Sequence, residues 1–318
     1  MARSPVSPAS PAIPATAGDS ARTRPGLAVN LLRSLRPSQW IKNLLVFAGL
    51  IFGERLGDPS SVERALVAFG VFCLLSSAVY LINDVLDREA DRRHPVKSRR
   101  PIASGAISPR VALATAVILL GVSFAGAFAL NRAFGLVAVT YFLLQALYSL
   151  SLKHVVILDV LVLAGGFVLR AYGGAVAIDV IFSHWLLLLT LLLALFLGLS
   201  KRRAELVTLA DDARGHRQSL AHYSPYLLDQ MIGVVTASTL LAYAFYTISP
   251  ETVQKFHTDR LLLTVPFPLY GIFRYLYLVH QRDGGGNPSE MLLTDIPLLV
   301  CVALWVAAVI VILYTSWL

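Results

Sequence analysis

An all-helical membrane protein is the fold class this sequence predicts, and three observations carry it. The chain is 56% hydrophobic and 14% charged, with a mean hydropathy of +0.68. That excludes an ordinary soluble domain. Its apolar residues gather into about nine runs near the roughly 20-residue length that a bilayer requires of a helix. Its charges gather between those runs.

Residues 1–28 are rich in Pro, Ala and Ser. They hold no apolar stretch long enough for a signal-peptide core and cannot bury one, so they read as a disordered tail. Residues 29–318 then read as one all-helical membrane domain. The spans fall near 39–55, 64–84, 110–130, 134–152, 155–177, 184–202, 228–248, 261–280 and 293–315. The first is short and carries Lys42 and Asn43 near its start. Only Leu152-Lys153-His154 separates the fourth from the fifth, which predicts a tight helical hairpin. Pro266 and Pro268 predict a kink or break in the eighth. Cys73 and Cys301 lie in apolar runs without CxxC spacing, so they are expected to be neither metal ligands nor a disulfide.

The Lys/Arg bias sets the orientation. Arg88, Arg92, Arg93, Lys97, Arg99, Arg100 and Arg110 follow the second span, and Lys201, Arg202, Arg203, Arg214 and Arg217 follow the sixth. With nine spans these segments lie on the same side as Arg33 and Arg36. The positive-inside rule places that side, with the N-terminus, in the cytoplasm, and the C-terminus outside. The net charge of +8 is thus a membrane pattern. No nucleic-acid motif accompanies it, and a homo-oligomer is compatible with it.

The most informative stretch is Asn83-Asp84-Val85-Leu86-Asp87-Arg88-Glu89-Ala90-Asp91, at the end of the second span. Around an ideal helix Asn83, Asp87, Asp91 and Asp84 fall at roughly 0°, 40°, 80° and 100°. Three carboxylates crowded on one face repel one another and are costly to desolvate. A divalent cation removes both problems, and hard oxygen ligands suit Mg²⁺, which completes its shell with water and substrate phosphates. The stretch reads as a Mg²⁺–diphosphate site at a membrane surface, with Asp84, Asp87 and Asp91 as ligands. The bland alternative is a solvated helix end with Asp/Arg pairs.

Other polar residues need an account. Lys42 either snorkels or binds an anion. Lys97-Ser98-Arg99-Arg100 is either counter-charge for the carboxylates or a phosphate contact. Asp159 and Arg170 lie inside the fifth span, where an ionisable residue is a functional candidate. Eleven residues separate them, about 16 Å along a helix, so they cannot pair directly and Arg170 needs another partner. Asp159 is expected near the cytoplasmic entry, within reach of water. Lys201 and Glu205 share a helix face at i, i+4. No HExxH, GxSxG, Walker or dinucleotide pattern appears.

Together these residues resemble the UbiA superfamily of intramembrane prenyltransferases. The most specific element is Asn83-Asp84-x-x-Asp87-x-x-x-Asp91 followed by Arg100-Pro101-Ile102. The resemblance implies a nine-helix bundle with a cytoplasmic-facing cavity, a lateral opening to lipid, and two Asp-rich motifs that bind diphosphate through Mg²⁺. After the sixth span, where most members carry a second DxxxD-type motif, this chain has Lys201-Arg202-Arg203-Ala204-Glu205-Leu206, and Asp211 and Asp212 lack the spacing. That change is similar to the branch of decaprenyl-phosphate phosphoribosyltransferases. So are Arg217-x-Ser219-Leu220-x-x-Tyr223-Ser224 and Arg36-Pro37-x-Gln39-Trp40-x-Lys42-Asn43.

The branch resemblance implies transfer of phosphoribose from phosphoribosyl pyrophosphate to a polyprenyl phosphate, for arabinose-bearing envelope glycans. Two anionic substrates favour cations over a second carboxylate cluster. The expected substrate contacts are Lys42, Asn83, Lys97, Arg100, Lys153, Asp159, Arg170, Lys201, Glu205 and Tyr223. Prenyl transfer to an aromatic acceptor is the alternative enzyme reading. A transporter or lipid flippase is the alternative outside enzymes, although a transport site belongs near the bilayer midplane.

Overall fold

The computed structural model describes residues 26–208, 220, 222–282, 286 and 288–315, and every regular element among them is helical. Residues 1–25 and the segment with Asp211, Asp212, Arg214, Arg217 and Ser219 lie outside the described residues. Helix α1 (Leu27–Leu35) takes in the last two residues assigned to the tail. A 3₁₀ helix (Pro37–Phe47) and the short α2 (Ala48–Phe52) follow. Then come α3 (Pro59–Leu86), α4 (Arg88–Arg93), α5 (Pro109–Leu130), α6 (Arg132–Leu150) and α7 (Leu158–Ala177). The second half holds α8 (His184–Thr208), α9 (Pro225–Ile248), α10 (Pro250–Phe256), α11 (Pro266–Gln281), α12 (Pro288–Thr294) and α13 (Ile296–Thr315).

Eight helical stretches are long and apolar enough to cross a membrane, where nine spans were expected. The expected first span is not among them, because residues 37–52 wind mostly as a 3₁₀ helix. Eleven residues at about 2.0 Å rise and five at about 1.5 Å nevertheless reach roughly 30 Å, the thickness of a hydrocarbon core. The stretch runs from one end of the bundle to the other. Arg36 at its start pairs with Asp84 near the end of α3, and the Phe52 carbonyl accepts from Lys255 beyond α9. Tyr314, near the end of α13, also lies at this second end, where Leu56 N–H donates to its hydroxyl at 3.2 Å.

One glycine on each side of the contact lets the 37–52 stretch lie close against α7. A Cβ on Gly174 would collide with the Val46 carbonyl, and one on Gly49 would lie 2.8 Å from the Ala175 backbone. Val46 therefore sits fully buried in a core with Phe72, Leu75, Phe134 and Tyr141. A second core joins α7, α8, α9, α11 and α13 through Val160, Phe196, Ile232, Tyr275 and Leu298.

The expected hairpin is present: α6 and α7 are joined by a 3₁₀ turn, Leu152–His154. The eighth span is broken as the prolines require. A 3₁₀ segment, Arg260–Thr264, precedes α11, which begins at Pro266. Both cysteines are buried and unpaired.

Candidate active site

The acidic stretch is not one helix. It breaks at Asp87, whose φ of −88° and ψ of 5° join α3 to α4. Asp84 and Asp91 are almost completely buried on either side of that joint. One nitrogen serves both: Arg100 Nη1 donates to Asp84 Oδ1 at 3.1 Å and to Asp91 Oδ2 at 2.6 Å. Arg36 Nη2 also donates to Asp84 Oδ1, at 2.5 Å. Asp87 turns instead to Lys153, whose Nζ donates to Oδ1 at 2.9 Å. Among the described residues no three acidic, His or Cys side chains gather as a ready metal cage. This corrects the expectation of three carboxylates on one face. Carboxylates at a membrane boundary take the nearest cations as partners, and Asp87 takes a different one from Asp84 and Asp91.

Arg100 is held by the segment around it. Ile102 and Ile107 are fully buried against α3 and α5. Ile107 N–H donates to the Pro101 carbonyl at 3.0 Å, and Arg92 Nε to the Ala103 carbonyl at 3.0 Å. Lys97 stands in a 3₁₀ turn, Lys97–Arg99, three residues before Arg100. Asn83 lines a mostly apolar groove between α3 and α6 with Phe142, Gln145 and Ser149.

Arg170 has the partner that its depth demanded. Nε donates to Asn43 Oδ1 at 2.7 Å, Nη1 to the Gly166 carbonyl at 2.9 Å and Nη2 to Tyr141 Oη at 2.5 Å. Its guanidinium also lies over the Tyr141 ring. Asn43 in turn donates toward Cys73 and Ser76. These bonds hold Arg170 as a buried strut between α7, α6 and the 3₁₀ helix. Beside it, Lys42 lies within electrostatic reach of Lys201, Arg170 and Arg36, all cations.

Asp159 was expected within reach of water but is fully buried. It accepts a 2.9 Å hydrogen bond from Tyr223 Oη and lies 3.8 Å from Arg202 Nε. Burial above all, together with the bonded carboxylate, pushes the Tyr223 phenol up to about 12, so it stays protonated and donates. Arg202 is itself buried, and its Nη1 donates to Glu205 Oε2 at 2.5 Å. Lys201 lies 3.7 Å from the other Glu205 oxygen, as the i, i+4 spacing predicts. Arg36 and Arg202 were noted within the family-like segments but not among the expected site residues. The Arg202–Glu205 spacing of i, i+3 was available as a further signal for the second.

The bundle matches solved structures of the same architecture. A UbiA homolog from Archaeoglobus fulgidus bound to DMAPP and Mg²⁺ superposes with a TM-score of 0.71 at 22% identity, covering 90% of this chain and 99% of that one. The apo structure of a UbiA homolog from Aeropyrum pernix gives 0.57. These likenesses concern the fold. The model of the UbiA prenyltransferase family matches residues 44–296, which contain the acidic stretch and α8. The chain belongs to the UbiA prenyltransferase family. Among curated relatives, the decaprenyl-phosphate phosphoribosyltransferase of Corynebacterium glutamicum is 33% identical over 93% of this chain and 91% of its own length. The protein of the same name from Mycobacterium tuberculosis is 34% identical over 89% of this chain and 94% of its own. This UbiA-family chain is a multi-pass membrane transferase.

Proposed function

We propose that the chain transfers 5-phosphoribose from phosphoribosyl pyrophosphate to a polyprenyl phosphate, decaprenyl phosphate in the relatives' case, releasing pyrophosphate. The observation that carries the reading is the charge around Lys42. Its electrostatic neighbours Lys201, Arg170 and Arg36 are all cations, and no carboxylate is seen to pair with it among the described residues. Such a place attracts an anion. One of these neighbours, Lys201, stands in the segment where a prenyl-transferring member is expected to carry the second acidic motif. The names borne by relatives that match nearly their whole length support the same choice.

Asp84 and Asp91 fit a magnesium ion. Their oxygens converge on the single point that Arg100 Nη1 occupies, and hard carboxylate oxygen is the donor Mg²⁺ takes. Bound there with help from Asp87, Mg²⁺ would stabilise the charge that gathers on departing pyrophosphate. Arg100 and Arg36, released from the carboxylates, can each turn a guanidinium toward phosphate oxygen. Lys153 steers Asp87 and offers its ammonium to the same group. Lys42 and Lys201 hold the second anion. As the anomeric bond lengthens, the ribose gains oxocarbenium character. The lipid phosphate is already ionised and attacks from the opposite face, so no strong base is required and the product is inverted, α to β.

The Lys/Arg bias supports a cytoplasmic motif end in the plasma membrane. Purified protein with Mg²⁺, labelled phosphoribosyl pyrophosphate and polyprenyl phosphates tests the reading. A labelled lipid supports it. Consumption of a prenyl diphosphate with an aromatic acceptor, and none of phosphoribosyl pyrophosphate, overturns it.

A further inference from the structure

Five non-glycine residues among those described have positive φ, and Ile157 is the β-branched one. At φ 70° and ψ −47° it centres a γ-turn, closed by a 2.8 Å bond from Leu158 N–H to the Val156 carbonyl. That conformation is costly for isoleucine and persists only where its surroundings enforce it.

Besides backbone bonds, one side-chain hydroxyl holds the turn. Ile157 N–H donates to Tyr223 Oη at 2.7 Å, and Tyr223 Oη donates to Asp159 Oδ1 at 2.9 Å. The buried Asp159 faces Arg202, which Glu205 holds from α8. So the segment ahead of α9, the first turn of α7 and the end of α8 meet at Tyr223. Its hydroxyl both accepts and donates within the protein, which turns it from the substrate contact first expected into part of the frame.

The turn controls something useful. Backbone bonds run from Ser151 to His154, from Leu152 to Val155 and from Val155 to Asp159. These bonds tie the stretch between α6 and α7 to the first turn of α7 across Ile157. Four residues before the turn stands Lys153, bonded to Asp87.

We infer that Tyr223 is a positioning residue: its hydroxyl holds the Ile157 turn closed, and the closed turn sets Lys153 against Asp87. The value of that contact to turnover rests on the proposed phosphoribosyl transfer, but the contact itself can be measured without substrate.

The test uses the full chain with Cys73 and Cys301 replaced by alanine, plus Asp87→Cys and Lys153→Cys. A short bismaleimide should cross-link the pair. Tyr223→Phe should slow cross-linking about tenfold, the equivalent of one buried hydrogen bond. Adding Ile157→Gly should restore most of the rate, because glycine keeps positive φ without strain. With Asp87 and Lys153 intact, Tyr223→Phe should raise KM for phosphoribosyl pyrophosphate about tenfold and change kcat less. An unchanged cross-linking rate in Tyr223→Phe, or no recovery in the double variant, overturns the inference. So does a lower Tm with cross-linking intact. If cross-linking behaves as expected while wild-type protein ignores phosphoribosyl pyrophosphate, positioning stands and the reaction assignment falls.

Discussion

Arg100 Nη1 lies 2.6 Å from Asp91 Oδ2, and the same nitrogen reaches Asp84 Oδ1. The guanidinium stands where a cation shared by both carboxylates would stand. Arginine and a divalent ion are then competitors. Arg100→Met should tighten Mn²⁺ binding in the absence of substrate about tenfold, the worth of one charge-assisted hydrogen bond. Titration calorimetry or Mn²⁺ resonance would read it. Unchanged or weaker binding would separate Arg100 from the metal site.

Asp84→Asn and Asp87→Asn should each lower kcat by about a hundredfold or more, since neither amide replaces an anionic metal ligand. Their stabilities should differ. Asp84 is buried between two arginines, whereas the Asp87 side chain is 44% exposed. Asparagine at 84 leaves buried positive charge under-compensated, so its Tm should fall clearly further. Equal Tm values would mean that the Arg36 and Arg100 pairs do little for the fold.

Lys201→Ala should raise KM for an anionic substrate about tenfold to a hundredfold, with little change in Mg²⁺ dependence. Lys201→Asp should be worse, because it adds repulsion. Arg202 still holds Glu205 in both variants, so the fold should survive. Activity of Lys201→Asp at or above wild type would favour prenyl transfer through a rebuilt acidic site.

Arg170→Leu should destabilise without any role in binding. It leaves Asn43 Oδ1, Tyr141 Oη and the Gly166 carbonyl without their donor, a loss of about 3 kcal/mol or more. Arg170→Lys should rescue little, since one ammonium cannot reproduce the planar fork. Thermal unfolding in detergent decides. A wild-type Tm for Arg170→Leu would return Arg170 to the substrate-binding candidates.

Topology is separable from chemistry. In a background free of Cys73 and Cys301, a cysteine at Arg99 should react with an impermeant thiol reagent from the cytoplasmic side, and one at Lys255 from the outer side. The bundle puts these residues at opposite ends. Labelling of both from one face would break the orientation.

The long helices were readable because each is a long apolar run bounded by Pro, Gly or charge. The 37–52 stretch was readable as an apolar segment but not as a 3₁₀ helix. That winding depends on the close approach of Gly174 to Val46, a contact between segments far apart in sequence. Asp84, Asp87 and Asp91 stood out because carboxylates at an apolar boundary need a reason. Their ideal-helix projection failed at Asp87, where partners from three other segments, Arg36, Arg100 and Lys153, decide the geometry. Arg170 was correctly marked as needing a partner, whereas Asp159 was expected near water and is buried. No spacing rule could name Asn43, Tyr141, Tyr223 or Arg202 as those partners.

The 3₁₀ winding of Pro37–Phe47 has a consequence for substitution. With about three residues per turn, side chains stack in columns rather than spiralling along a stripe. Trp40, Asn43 and Val46 form one column, and it meets Ser77, Arg170 and the Gly174 gap in succession. Gln39, Lys42 and Leu45 form the next, turned by about 120°. One residue inserted between Lys42 and Asn43 would rotate everything before it by that angle. Trp40 would leave Ser77 and Arg36 would leave Asp84, although no residue in either pair had changed. At this crossing the count of residues is as much a part of the site as their identity.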